Sequence, residues 1–340
     1  MIVYAGDCTG SGGLGIGHVL IPWQPGECAI GADSMLGIMR YGVPLPEVPA
    51  VDCPVASVSM PILSAEQRVE VWHSSAPVTV HRQGGIDYAS NGQVLFGVYA
   101  RQESEDCFLD LVIEESYVAI FELLKAAGYP HLLRTWNYIP AIAKAQDGVE
   151  RYHRLCLGRY KAFTRFDPAP ERAFPAATVI GTTQGDVVVC FLAARHAGIP
   201  VENPRQVSAY RYPPQYSPRS PSFSRAMVKD WGGRAHLYAS GTASIVGYET
   251  HHAGDVRAQL DEILRNLEAL LAQAAHATTI AFPRRAGEGL LKVYIRRPED
   301  IVPVRERLGQ VLGTYGSVLY LQGELCRKDL LVEIEGVYWH

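Results

Sequence analysis

The sequence of 340 residues predicts an α+β fold built from two β-α-β-α-β-β units, in which helices pack on mixed sheets. Two segments have the same order of helical and strand-like apolar stretches, and each segment ends in two apolar strands. The composition, 48% hydrophobic and 19% charged, is that of a globular chain that can bury a substantial core.

The first unit is predicted from its apolar periodicity. A helix is expected over 111–127, where apolar residues recur at helical spacing. A strand over 132–140 follows and ends in proline, and a second helical stretch comes next. The apolar runs 177–182 and 186–193 are close in sequence, so they predict a β-hairpin.

The second unit repeats this layout nearer the C-terminus. An amphipathic helix is predicted from Asp255 to about Ala274, with Asp255 as its N-cap residue. A strand over 290–298 and another helical stretch follow. Two alternating runs within 319–336 flank the charged turn 327–329 and predict a C-terminal hairpin.

The last predicted strand carries two acids. Because side chains alternate along a strand, Glu333 and Glu335 share one face, and Val332 and Ile334 share the other. This pattern has two interpretations: a solvated outer face, or an acid held inside a pocket.

We predict a domain boundary between 1–202, which includes an N-terminal extension, and 203–340. The stretch 203–224 has three prolines within six residues and cannot form regular structure. It is rich in tyrosine and arginine, so it is either a linker or a loop that lines a site. The first 95 residues have no assigned role.

Charge and cysteine usage exclude several classes of protein. A net charge of -4 and a pI near 6.3 give no reason to expect nucleic-acid binding. No run of 18 apolar residues predicts a membrane span, and no signal peptide is recognisable. Seven scattered cysteines without a Cys-x-x-Cys pair predict reduced thiols in a cytoplasmic protein without disulfides or zinc.

A glycine run at 10–15 matches the Gly-x-Gly-x-x-Gly pattern of dinucleotide sites, and Asp33 follows about 20 residues later. The glycines should open a helix, but a short run from His18 that ends at Pro22 follows instead. A bend between two strands is therefore favoured.

His251, His252 and Asp255 are ligand types for a metal ion. A zinc site needs three or four ligands with defined spacing, and the sequence has no second cluster that could supply the remaining ligands. A helix cap with flanking histidines is favoured. The run of small residues at 240–247 is either a tight turn or an anion site near a helix start.

Arginine and tyrosine are grouped in two segments. Tyr152 and Arg159 are seven residues apart and lie on one face if 151–159 is helical. Tyr212, Arg219 and Arg225 lie in or next to the proline-rich stretch. Arginine pairs with carboxylates through its planar fork, so the grouping indicates a small substrate with more than one carboxylate.

Three segments resemble the chorismatase family, namely 216–225 (YSPRSPSFSR), 240–245 (SGTASI) and 326–335 (CRKDLLVEIE). The resemblance covers most of the chain and is most specific from about Tyr138 onward. These enzymes hydrolyse the enolpyruvyl ether of chorismate or eliminate across it. The C-terminal third also resembles the YjgF-like (Rid) fold, which implies two YjgF-like units. The strand at 318–322 lacks the carboxylate-binding arginine of a Rid-type deaminase.

The resemblance implies roles for particular residues. Chorismate-binding roles fall on Tyr152, Arg159, Tyr212 and Arg225. Glu333 is implied as the catalytic acid. Ala239 and Cys326 match positions that vary with the product: Cys326 resembles members that form 3-hydroxybenzoate, and Ala239 resembles members that form a dihydroxycyclohexadiene carboxylate.

The expected reaction needs no metal or redox cofactor. Chorismate is a dianion, and its enol ether is inert until the methylene carbon is protonated by a neutral acid. Burial and the neighbouring Glu335 can both raise the pKa of Glu333. Cys326 is left with three alternatives: shaping the pocket, shuttling a proton or attacking.

We therefore expect a chorismatase that forms pyruvate and 3-hydroxybenzoate; a 4-hydroxybenzoate component would indicate the mixed-product type. Two alternatives remain. One is a chorismate hydrolase that forms 3,4-dihydroxycyclohexa-1,5-diene carboxylate, and the other is a non-catalytic YjgF-like protein that binds small carboxylates. The chain is expected to be a monomer or a homotrimer, with no nucleic-acid or membrane partner.

Overall fold

The structure is a computed structural model that describes residues 16–22, 31–46, 51–104, 107–214, 217–282, 289–313 and 318–340. Within these ranges the chain forms one sheet of four strands, two sheets of six strands, two short ribbons and four α-helices. None of the described helices is long and apolar enough to cross a membrane. The glycine run at 10–15 and Tyr216 lie outside the described residues.

The four-stranded sheet is formed by the N-terminal part of the chain, to which the sequence assigned no role. Its strands have the order β1-β4-β2-β3. They are β1 (Ile16–Pro22), β2 (Met35–Tyr41), β3 (Val55–Val58) and β4 (Arg68–Ser74). β1 contains the short strand that was expected to end at Pro22.

The first six-stranded sheet has the order β11-β8-β12-β7-β6-β5. Its strands are β5 (Thr79–Gln83), β6 (Ile86–Ser90), β7 (Val94–Arg101), β8 (His131–Pro140), β11 (Ala176–Thr182) and β12 (Val187–Ala194). Two helices belong to this unit, α1 (Leu109–Ala127) and α2 (Arg151–Phe166). The ribbon of β9 (Ala145–Gln146) and β10 (Val149–Glu150) leads into α2.

The second six-stranded sheet has the order β13-β14-β15-β20-β18-β19. Its strands are β13 (Ile199–Val201), β14 (Ala226–Asp230), β15 (Ala235–Ala243), β18 (Gly289–Ile295), β19 (Val318–Gln322) and β20 (Val332–Trp339). Its helices are α3 (Val256–Thr278) and α4 (Ile301–Leu312). The ribbon of β16 (Ile245–Val246) and β17 (Glu249–Thr250) precedes α3.

The two six-stranded sheets are the same arrangement used twice. Strand by strand, β5, β6, β7, β12, β8 and β11 correspond to β13, β14, β15, β20, β18 and β19. This confirms the predicted α+β class with two repeated units. The division of the chain after residue 202 stays a prediction, and β13 before that point already belongs to the second sheet.

The two predicted hairpins are wrong in their pairing. β11 lies parallel to β8, and β12 lies antiparallel on the other side of β8. In the second unit, β18 separates β19 from β20 in the same way. A strand-helix-strand crossover places the later strand parallel beside the earlier one. A short link then spans two strand spacings, about 10 Å, across the end of the middle strand.

The three sheets share one core. The side chain of Trp72 from the four-stranded sheet lies 5.6 Å from Trp136 of the first unit and 6.3 Å from Tyr238 of the second, between ring centroids. All three side chains are buried. The opposite faces of the six-stranded sheets pack against their own helices. The sheet face that carries Glu335 therefore points into the protein interior and not to solvent.

Candidate active site

A cavity of about 320 Å³ opens between the two units, a size suited to a small ligand. Helix α2, the proline-rich stretch, β15, the turn at 326–328 and β20 all contribute to it. Six residues singled out from the sequence line the cavity together: Tyr152, Arg159, Tyr212, Arg225, Cys326 and Glu333.

Helix α2 presents one face to the cavity. Tyr152 and Arg159 lie two turns apart on that face, as predicted from their spacing. The guanidinium of Arg159 stacks 4.6 Å from the ring centroid of Tyr117 and hydrogen-bonds to the hydroxyl of that residue. It also donates to the carbonyl oxygen of Ser222 at 2.7 Å. These neutral partners fix the position of the guanidinium at the cavity wall.

The proline-rich stretch lines the cavity through several residues, so the loop interpretation is supported over a simple linker. Arg225 donates from Nη2 to the Tyr212 hydroxyl at 2.7 Å and to the Val207 carbonyl at 2.8 Å. The Nε atom of Arg225 is buried and has no hydrogen-bond partner among the described residues. Arg219 does not line the cavity, because its guanidinium packs 4.4 Å from the ring of Tyr160.

Arg159 and Arg225 are buried cations, with 2% and 5% of their surface exposed. Within the described residues, neither forms an ion pair with a carboxylate. Glu202 lies close enough to Arg225 to feel its charge, but it forms no ion pair with the guanidinium. A buried cation without an ion pair is costly, so two such guanidiniums at one cavity indicate that anionic partners come from a ligand. The cavity is therefore suited to a small molecule with two carboxylates.

Glu333 lies on β20 and points into the same cavity. Burial, followed by the negative charge of Glu335, raises its pKa to about 8. Arg134, Arg225 and Arg296 act in the opposite direction. Among the described residues, no side chain forms a hydrogen bond or ion pair with this carboxyl group. Glu333 is therefore a carboxylic acid at neutral pH, available to donate a proton.

Glu335, two residues further on, has the opposite environment. Its carboxylate accepts from Arg134 at 2.6 Å and from Trp136 Nε1 at 2.9 Å, and it pairs with Lys292 at 2.7 Å. Of the two sequence interpretations, the pocket is correct for Glu333. Glu335 is neither solvated nor in the cavity, since it belongs to an ion network between the sheets.

Cys326 lines the cavity beside the turn that leads into β20. Burial, together with the charge of Glu333, raises the pKa of its thiol to about 12. The thiolate is the nucleophilic form of cysteine, so a neutral thiol is poorly suited to attack. Of the three alternatives for Cys326, shaping the pocket and relaying a proton fit this environment better.

The sequence prediction placed Ala239 in the site, and the structure corrects this placement. Its side chain does not line the cavity, and it packs in the core beneath α3. The register between β15 and β20 shifts between Ala239 and Thr242. This bulge redirects the strand, so that Gly241 and Ala243 face the cavity instead.

Gly241 is a cavity residue that sequence reasoning did not single out, beyond placing it in a run of small residues. A β-carbon at this position would overlap the Oε1 atom of Glu333 and lie 3.3 Å from Cγ2 of Thr178. The absence of a side chain leaves the space that the Glu333 carboxyl group occupies.

We expect Gly241→Ala to displace the Glu333 carboxyl group, because the added methyl group takes its place. Turnover of the natural substrate should fall on the order of 10- to 100-fold, with a changed product ratio. Steady-state kinetics with chromatographic product analysis measures both. Gly309→Ala is the matched control, because a β-carbon on Gly309 in α4 meets no atom within 4 Å. Wild-type kinetics in Gly241→Ala would contradict this role.

The histidine pair follows the helix-cap interpretation. Asp255 accepts the backbone N–H of Ala258 at 3.0 Å and caps α3, as predicted. His252 lies 3.4 Å from Glu262. Within the described ranges, no group of three histidine, cysteine or acidic side chains is placed to hold a metal ion.

The fold and the cavity define a class of protein with a buried acid and two buried arginines at a cavity between paired α+β units. A family model described as "Chorismatase FkbO/Hyg5-like, N-terminal" matches residues 70–193. The 3-hydroxybenzoate synthase of Streptomyces hygroscopicus is 37% identical over 324 residues, which cover 89% of this chain and 91% of that protein. A chorismatase of the same organism is 36% identical over 323 residues, with 90% of each chain covered.

A crystal structure of a chorismatase superposes along almost the whole molecule. It covers 97% of this chain and 100% of its own chain, with 34% identity and a TM-score of 0.86. This chain belongs to the chorismatase family.

Proposed function

We propose that this protein is a chorismatase that converts chorismate to pyruvate and 3-hydroxybenzoate. The observation that carries the proposal is one cavity that joins an unpaired acid, Glu333, to two buried arginines that form no ion pair among the described residues. The names of the relatives support the substrate and the product.

In the proposed mechanism, the two carboxylates of chorismate pair with Arg159 and Arg225. Their forked donors orient the dianion, and Tyr152 and Tyr212 complete the wall around it. The low exposure of the site keeps these interactions strong. Binding thereby holds the enolpyruvyl methylene carbon near Glu333.

Glu333 then donates its proton to the methylene carbon, and the ether carbon becomes an oxocarbenium-like centre. Addition of water gives a hemiketal, which breaks its bond to the ring oxygen and releases pyruvate. The ring must next lose one water to become 3-hydroxybenzoate. The water added and the water lost cancel, so chorismate has the same atoms as the two products together.

The product proposal rests on Cys326 and on the name of the 3-hydroxybenzoate synthase relative. The neutral thiol of Cys326 lies in the same cavity as the acid, where it can shape the ring pocket or relay a proton during aromatisation. If that assistance were lost, release of the ring as 3,4-dihydroxycyclohexa-1,5-diene carboxylate would be favoured.

Incubation with chorismate tests the proposal directly. Pyruvate is measured with a coupled lactate dehydrogenase assay, and the ring product is identified by chromatography and mass spectrometry. We expect pyruvate and 3-hydroxybenzoate in equal amounts, and a Cys326→Ser variant in the same assay should change the ring product. No pyruvate at any pH from 6 to 9, with chorismate still bound, would favour the non-catalytic carboxylate-binding alternative.

The pH dependence follows from the protonated form of Glu333. Because its pKa is raised to about 8, the acid is intact below that pH and is lost above it. We expect kcat/KM to be level near pH 7 and to fall about tenfold per pH unit on the alkaline side, with a midpoint near 8. A pH–rate profile measures this limb. A decline already complete between pH 5 and 6 would show that Glu333 is not the acid.

Two accompanying expectations stay predictions. One is the cytoplasmic location inferred from the cysteines, and the other is the choice between a monomer and a homotrimer. The first would be checked by cell fractionation, and the second by light scattering on the purified protein.

A further inference from the structure

Arg134 on β8 does not line the cavity, yet it contacts two strands near Glu333: β20, through Glu335, and β11, through Thr178. Its guanidinium is 1% exposed and donates from Nη2 to Oε2 of Glu335 at 2.6 Å. The same nitrogen hydrogen-bonds to Oγ1 of Thr178 on β11. One side chain of the first unit therefore ties the catalytic strand of the second unit to a strand of its own sheet.

The contact with Thr178 continues to the cavity. Oγ1 of Thr178 accepts the backbone N–H of Gly241 at 3.0 Å, at the bulge that faces Glu333. Next to it, the hydroxyl of Ser240 accepts the backbone N–H of Ala177 at 2.8 Å. The bulge of β15 is thus held against β11 by these side-chain bonds.

The contacts form a closed path around the acid. It runs from Glu333 along β20 to Glu335, through Arg134 to Thr178, and through Gly241 back to the Glu333 carboxyl group. Because Gly241 and Glu333 are in close contact, a small change in the separation of β20 and β15 moves the carboxyl group.

We propose that Arg134 is a positioning residue for chorismate cleavage, which bridges Glu335 to Thr178 and so fixes Glu333 against Gly241. This rests on the proposed role of Glu333 as the acid. Arg134 does not touch the substrate, so it acts on the proton-transfer step and not on binding.

The charge of Arg134 gives a second readout. The charged groups that act on Glu333 include Glu335, Arg134, Arg225 and Arg296. The cavity that Glu333 faces also carries the charged or titratable side chains of Glu150, Tyr152, His153, Cys156, Arg159, Tyr212, Cys326, Arg327 and Lys328. Without Arg134, Glu335 keeps its ion pair with Lys292, which also pairs with Glu70 at 3.0 Å. Loss of the Arg134 charge therefore removes a cation near Glu333 and raises the pKa of that acid further.

A double-mutant cycle on the full-length protein tests the proposal with Arg134→Met, Thr178→Val and the combined variant. Each single change should lower kcat on the order of 10- to 100-fold and leave KM for chorismate within about threefold. Because both changes cut the same bridge, the double variant should be no slower than the slower single variant. The alkaline limb of kcat/KM should move to higher pH in Arg134→Met and stay in place in Thr178→Val.

Arg134→Lys separates the positive charge of Arg134 from its bridge between Glu335 and Thr178. The lysine ammonium keeps the charge but lacks the planar, forked donors of the guanidinium. We expect Arg134→Lys to keep the alkaline limb of kcat/KM at its wild-type pH but not to keep the full wild-type kcat. Additive losses in the cycle, or wild-type kcat in Thr178→Val, would overturn the proposal. If Arg134→Met does not fold by circular dichroism, Thr178→Val and Arg134→Lys still decide the question. Turnover that survives in Glu333→Gln would instead refute the role of the acid, independently of the cycle.

Discussion

Glu333→Gln should lose nearly all turnover while chorismate still binds. Glutamine has almost the shape of the protonated acid, but it cannot donate a proton to carbon. A positioned general acid contributes about 10²- to 10⁴-fold, so kcat should fall by a factor in this range. Pyruvate release gives kcat, and isothermal titration calorimetry gives the affinity for chorismate, since the slow variant leaves the substrate intact during the titration.

Glu150→Gln is the matched control for this variant. Glu150 also lines the cavity, but it lies at its rim in an ion pair with Lys328, whose side chain is 72% exposed. Exposed pairs contribute little, so this change should leave kcat within about threefold. Comparable losses in both variants would mean that negative charge in the cavity, and not the acid at Glu333, supports turnover.

The alternation of side chains on the last strand was enough to separate Glu333 and Glu335 from Val332 and Ile334. It could not tell what lies opposite the acidic face. The partners of Glu335 are more than 40 residues away along the chain, as in the case of Lys292, or in the other unit, as in the case of Arg134. Such contacts depend on how the sheets pack, which local periodicity does not encode.

The order of the helices and strands could also be predicted, because amphipathic helices and apolar strands have periodic sequence patterns. The pairing of the strands could not be predicted in this way. The short links between β11 and β12 and between β19 and β20 favoured hairpins. In the structure, β12 pairs with β8 and β20 pairs with β18, and both of these partner strands precede the helix before the predicted hairpin. Sequence proximity is a good guide to pairing only where no earlier strand can enter between two neighbours.

The finding that Gly241, and not the predicted Ala239, faces the cavity has a comparable cause. Along a regular strand, residues 239 and 241 would share a face. The register shift in β15 breaks that rule, and a bulge of this kind depends on contacts with β11 and β20. A run of small residues indicated where backbone approaches closely, without showing which residue faces the cavity.

Arg225→Met should strongly weaken chorismate binding. The bound substrate would leave a carboxylate buried without its counter-charge, which costs on the order of 2–5 kcal/mol, or about 30- to 5000-fold in affinity. Arg225→Lys should recover part of this loss, because it keeps the charge without the paired geometry. Titration calorimetry in a Glu333→Gln background measures binding without turnover.

Lys328→Met tests whether the effect belongs to buried charge or to positive charge in general. Lys328 lines the same cavity, but its exposed ammonium is already solvated, so we expect only a small, salt-dependent change in affinity. Arg225 also lowers the pKa of Glu333, and its removal should leave the acid protonated at neutral pH. A variant that binds weakly yet turns over bound chorismate at the wild-type kcat would separate anion binding from proton transfer. Unchanged affinity in Arg225→Met would instead show that the substrate carboxylates are held elsewhere in the cavity.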